Sequence, residues 1–171
     1  MLALGTAVLY GWLRTYAPLS VVGSGGFAPG PGLAADIEPV TGSGGKPVFI
    51  PVYRKERPFD TAFTLHNTGR FAVTVTGLAS SPADSALAPT ALLATDSSTA
   101  SADPSHLHAF TRLRLDAGDT AIVVVRWGLD CARATGEASA DGVLLRYDYL
   151  SLFTRTERVR LPFAVTLRCS G

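Results

Sequence analysis

Three histidines, two cysteines and fourteen scattered carboxylates are the residues of this 171-residue chain that could carry chemistry. His106 and His108 form an H-x-H pair, with Asp96 and Asp103 near in sequence. Side chains two residues apart on a strand share a face, so both imidazoles could reach one metal ion. The pair closes a polar Ala/Ser/Pro-rich stretch, and two solvated side chains are the bland reading of the same pattern. Hydrolytic chemistry has less behind it. There is no G-x-S-x-G elbow, and His66 has no obvious Ser or Asp partner. Cys131 has only Arg133 beside it as a basic neighbour, which suits a structural cystine better than a nucleophile. No two carboxylates have a spacing that suggests acid–base work. "GSGGKP" (42–47) resembles a phosphate loop only superficially, because Val40 stands where the first Gly is needed and Pro47 where Ser or Thr is needed. The expectation is a chain with no catalytic residues and no cofactor.

Composition bounds the elements that position these residues. Apolar residues make up 47% and charged residues 17%, which excludes a disordered chain and provides for one ordinary domain with an appendage. A formal net charge of +1 offers no electrostatic basis for a nucleic-acid partner. Arg greatly outnumbers Lys, which stands only at positions 46 and 55, and Asn67 is the sole Asn in a chain without Gln. That bias fits a GC-rich bacterial genome rather than a functional choice.

The first 13 residues carry no charge until Arg14, and Tyr10, Trp12 and Tyr16 gather at the end of the run. Aromatic residues concentrate at membrane interfaces in this way. The run is short of the roughly 20 residues that cross a bilayer, and it lacks both a basic n-region and a cleavage site. A short buried element is one reading. A partial transmembrane anchor over residues 1–17 is preferred, because the run has neither the polar face nor the cap of an amphipathic helix. Residues 18–46 are Gly/Pro/Ser-rich and carry GSGG twice, as a linker or an irregular first strand would.

From Pro47 the pattern alternates with period two, the mark of half-buried strands. "VFIPVY" (48–53) is a first short strand. Phe59, Phe63 and Leu65 oppose Asp60, Thr64 and His66; Phe71, Val73 and Val75 oppose Thr74 and Thr76. Asn67-Thr68-Gly69 between them reads as a three-residue hairpin turn, with Gly69 in its left-handed position. Leu113 and Leu115 alternate with Arg112 and Arg114, then Val123, Val125 and Trp127 share a parity. The last strand alternates from Val159 through Leu161, Phe163, Val165 and Leu167 to Cys169, with Pro162 predicting an edge or a bulge. No helix-length apolar stripe with caps follows residue 47. Seven or eight short strands predict a sandwich of two antiparallel sheets, with a closed barrel as the second choice. Arg112, Arg114, Arg158, Arg160, with Arg126 and Arg146, could line up as a basic stripe; Asp116, Asp119, Asp148 and Glu157 are near enough to make it a mixed-charge solvated face instead.

Two cysteines are too few for a disulfide scaffold or a four-ligand zinc site. Two unrelated buried thiols is the plain alternative to one cystine. Cys131 and Cys169 continue the inward parity of their strands and leave the core face at strand ends. A bridge there would close a loop of roughly 38 residues, worth about 4 kcal/mol on the chain-entropy model, and would imply an oxidising compartment.

"FTLHNTG", "VTVTG" and the later "LDAGDTAIVVVRW" together resemble the immunoglobulin-like modules of bacterial surface proteins and the ASH-type domains. The likeness runs over about residues 47–128. It implies an immunoglobulin-like β-sandwich over residues 47–171 and an adhesive or scaffolding part, and it carries over no catalytic residue. The expected molecule is thus a non-catalytic envelope module of an actinobacterial-type protein. It would be held by one membrane pass with its domain outside the cytoplasm, and its partner would be an unidentified envelope protein. The 30-odd residues of 79–109, which end in His106 and His108, offer the alternative of a ligand- or metal-binding domain.

Overall fold

A computed structural model describes residues 16–28, 37–41, 47–53, 59–80, 85–95 and 107–169. Residues 1–15 of the expected anchor and the metal candidate His106 lie outside them. Strands are the regular elements among the described residues, and no helix there is long and apolar enough to cross a membrane.

The strands are β1 (Leu19–Ala28), β2 (Ile37–Thr41), β3 (Pro47–Tyr53), β4 (Phe59–Asn67), β5 (Val73–Leu78), β6 (Leu87–Thr95), β7 (Leu107–Ala109), β8 (Leu113–Leu115), β9 (Thr120–Leu129), β10 (Glu137–Tyr149) and β11 (Phe153–Cys169). They form two sheets, ordered β1-β4-β9-β6-β7 and β2-β3-β11-β10-β5-β8, and not a closed barrel. Neighbours run antiparallel, except that β11 meets β3 in parallel at Arg168↔Val52 and Cys169↔Tyr53. Residues 19–28 of the Gly/Ser-rich tract pair with β4, with an irregularity between Val22 and Gly26 that absorbs the GSGG run.

Period-two alternation explains the core directly. Phe59, Phe63 and Leu65 of β4 and Val123, Val125 and Trp127 of β9 face Val73 and Val75 of β5, Val143, Leu145, Tyr147 and Tyr149 of β10, and Val159, Leu161, Val165 and Leu167 of β11 in one buried cluster. Each such large side chain contributes roughly 1.5–3 kcal/mol relative to exposure. Trp127 buries its ring and donates its indole N–H to Thr61 Oγ1 at 2.8 Å, so no polar atom is stranded. Asp60 is set opposite Arg126 across β4 and β9, and the two form a bidentate pair at 2.9 Å on each arm.

Asn67-Thr68-Gly69 is a turn, but the hairpin reading is incorrect. β4 and β5 belong to different sheets, so the chain crosses from one layer to the other at this point. Turn chemistry is local and does not say which strand the chain joins next. The core decides it, because Val73 and Val75 bury against the opposite layer. Gly69 is not in the left-handed region either. It is needed for space: a Cβ there would sit 1.7 Å from Tyr16 Oη and 2.6 Å from Pro18 Cβ.

Asn67 is fully buried and holds this corner. Its Nδ2 donates to the carbonyls of Phe71 (2.8 Å), Leu115 (3.1 Å) and Asp116 (3.0 Å), and its Oδ1 accepts from Gly69 N at 3.0 Å. Its backbone pairs with the β8–β9 turn through Asp119 O and Gly118 N, both at 2.9 Å. Gly118, at φ 85°, supplies the left-handed residue of that turn. One side chain therefore ties the β4–β5 crossing to the loop that starts β9.

Pro162 sits where β10 and β11 fall out of register: Ala140 pairs with Val165, but Gly142 pairs with Arg160. The bulge spares the ladder the missing N–H. Cys131 and Cys169 form a disulfide that links the loop after β9 to the end of β11, across 38 residues of chain.

Candidate functional site

The second sheet's outer face is solvated and of mixed charge. Arg158 pairs with Asp141, Arg168 with Glu137, and Arg114 with Asp116 at 2.9 Å. A mixed-charge face is the sequence expectation, but its carboxylates are partly others: Asp141 and Glu137 serve Arg158 and Arg168, Glu157 turns inward to Leu19 N, and Arg126 lies on the first sheet with Asp60.

At one end of this face, the register lines up Thr154 of β11, Asp148 of β10, Thr74 of β5 and Arg114 of β8 as a row of direct cross-strand neighbours. This row is the floor of an open basin of about 630 Å³. The corner segment Arg70-Phe71-Ala72 and the β10–β11 turn, Leu150-Ser151-Leu152, complete the lining at the end of the β5–β10 ladder. Among the described residues, three arginines (Arg70, Arg112 and Arg114) line the basin against a single carboxylate, Asp148. Asp148 accepts from Thr154 Oγ1 at 2.7 Å and lies 4.0 Å from Arg112. The arginine side chains at 112 and 114 are 71% and 69% exposed, so their own ion pairs are weakly held and exchangeable.

Rings support the basin from beneath. Tyr149 stacks on Phe153 at 5.1 Å, and Tyr16 packs on Tyr149 at 5.4 Å and edge-on to Phe71 at 5.7 Å. Tyr16 Oη accepts from Phe71 N at 3.2 Å, and the Tyr147 hydroxyl donates to Tyr16 O at 2.9 Å. Leu19 N reaches Glu157 at 3.4 Å. Burial pushes the Glu157 carboxyl above the usual range, against the opposing pull of Leu19 N–H and the Tyr147 hydroxyl. Burial also raises Tyr147, and the neighbouring Glu157 charge adds to it.

The turn itself is strained. Leu150 and Ser151 have φ of 52° and 53°, a conformation that costs a residue with a Cβ roughly 1–2 kcal/mol. Leu152 beyond them is 81% exposed and Leu150 41% exposed. Backbone strain and two exposed leucines thus meet in one turn. The sequence concealed it: "YLSLF" has no Gly, Asn or Pro to announce a turn. The alternation of Arg112 and Arg114 was the readable part of the signal.

The other expected site residues fall elsewhere. His108 lies exposed on β7, in register with Ala94. Nine residues of the 79–109 segment, Leu87–Thr95, build β6, which pairs with β9 and β7. Among the described residues no group of three or more His, Cys, Asp or Glu is placed to hold a metal ion. His66 is a half-buried strand residue opposite Thr120.

No family model and no curated protein matches the chain. Among solved structures, the ASH / PapD-like domain of human CEP192 (PapD-like domain 7) is similar at 13% identity. The match covers 71% of this chain and 78% of that one, with a TM-score of 0.34.

Proposed function

We propose that this chain is a non-catalytic, immunoglobulin-like interaction module that works outside the cytoplasm of a bacterial cell, tethered by the hydrophobic run that precedes Tyr16. The single observation that carries the reading is the basin, where a strained turn presents Leu150 and Leu152 beside three arginines. A shaped depression with apolar anchors and a few charged groups is how protein surfaces recognise partners. The cystine between Cys131 and Cys169 supports an oxidising compartment.

A photo-crosslinking residue at Leu152, expressed in the native cell, tests this against the same residue at exposed Thr90 on the other sheet. The expected result is one discrete adduct from position 152, absent from position 90 and lost when Arg70 and Arg114 become Ala. No adduct from 152, or equal adducts from both positions, would overturn the proposal.

A further inference from the structure

We infer that the outer edge of β8 takes up an extended segment of a partner protein with an acidic–apolar–acidic pattern. This rests on the basin being a recognition surface, and it specifies what is recognised. β8 is the last strand of its sheet and, among the described residues, pairs only with β5. An unpaired strand edge offers a ladder of N–H and C=O groups to an incoming strand.

The side chains along that edge define the incoming sequence. Arg112 and Arg114 both project into the basin, and alternate residues of an extended chain recur every ~7 Å. A strand laid beside β8 repeats at the same interval, so carboxylates two residues apart on it meet the two guanidinium groups as cross-strand pairs. The residue between them faces the opposite way, toward half-buried Leu113, and an apolar side chain completes that contact. Arg70 and the Leu150–Leu152 turn also line the basin and can hold whatever projects over it. A net charge of +1 gives the whole molecule no field for a polyanion, so the charge preference is local to this edge.

The test is fluorescence anisotropy on the whole chain with a labelled synthetic peptide alternating glutamate and valine, capped at both ends. The expected result is saturable binding that weakens about threefold or more between low and 0.5 M salt. A glutamine–valine peptide should bind at least about tenfold more weakly. The double variant Arg112→Glu, Arg114→Glu alters exposed side chains, and circular dichroism checks that it folds. It should lose the acidic peptide and gain the lysine–valine peptide. Backbone N-methylation of the glutamate–valine peptide should abolish binding, because strand pairing needs those N–H groups.

Equal binding of the glutamate and glutamine peptides, or no exchange of preference in the double variant, would overturn the inference. So would indifference to N-methylation, or tighter binding to vesicles of anionic lipid or to single-stranded DNA than to the peptide. Each of these results leaves the crosslink from Leu152 unaffected, so failure here is distinguishable from failure of the module proposal.

Discussion

Replacing Asn67 with Ala should destabilise the fold more than any other single change at the corner. The side chain is fully buried and engages four backbone groups. The bond to Leu115 O is itself buried, and an acceptor left unsatisfied in that setting costs about 1–3 kcal/mol. The other three groups are partly buried and recover some water, so each adds about 0.5–1 kcal/mol. The sum is about 2.5–6 kcal/mol, a large part of the stability of an ordinary domain. With a urea slope of about 2 kcal/mol per molar, the unfolding midpoint falls by roughly 2 M. Asn67→Asp keeps the acceptor for Gly69 N but sets a carboxylate against three carbonyl oxygens. It should be at least as damaging. Equilibrium urea unfolding with the disulfide intact, followed by Trp fluorescence, reads both variants. A loss below about 1 kcal/mol in either would refute the view that this residue locks the two sheets together.

Three further outcomes follow from the same structure. Cys131→Ser with Cys169→Ser should lower stability by about 4 kcal/mol for a 38-residue loop, measured by urea unfolding; an unchanged midpoint would contradict it. Leu150→Asn with Ser151→Gly removes left-handed strain and should stabilise by about 1–2 kcal/mol in thermal melts while weakening crosslinking from the turn; a destabilised variant would show that the turn is not strained. Glu157 has its carboxyl pKa raised in the fold, so between the ordinary carboxylate range and the raised value the native state holds more proton than the unfolded chain. Stability should fall as pH rises through that window, and Glu157→Gln should flatten the slope in urea unfolding from pH 4 to 7; a profile identical to wild type would remove Glu157 as the cause.

Much of the sandwich is legible in the alternation itself. Val123, Val125 and Trp127, and Val159, Leu161, Val165 and Leu167, bury as their parity requires, because a two-residue period leaves one inward face whatever the partner strand. Cys131 does not share that logic: it stands exposed in the loop after β9, and the disulfide forms because that loop reaches the end of β11. Asn67 shows the limit: the sequence marks it as a turn residue, yet its work is done by contacts 48 and 49 residues away, which no local pattern contains. β1 is legible only as one of two readings, linker or irregular first strand, since a Gly/Ser-rich stretch has little intrinsic strand preference and pairs because β4 provides a ladder. Within the candidate site, Arg112 and Arg114 are readable as a pair on one face. Their assembly with Arg70 and the Leu150–Leu152 turn depends on the register of four strands.

Amide hydrogen exchange on the whole protein, with and without the glutamate–valine peptide, bears most directly on the claim that this end of the second sheet is the recognition surface. The account predicts slowed exchange in residues 112–116 and 150–152, with the strands of the first sheet unchanged. Slowing confined to β1, β6 or β7, or no slowing at saturating peptide, would contradict it.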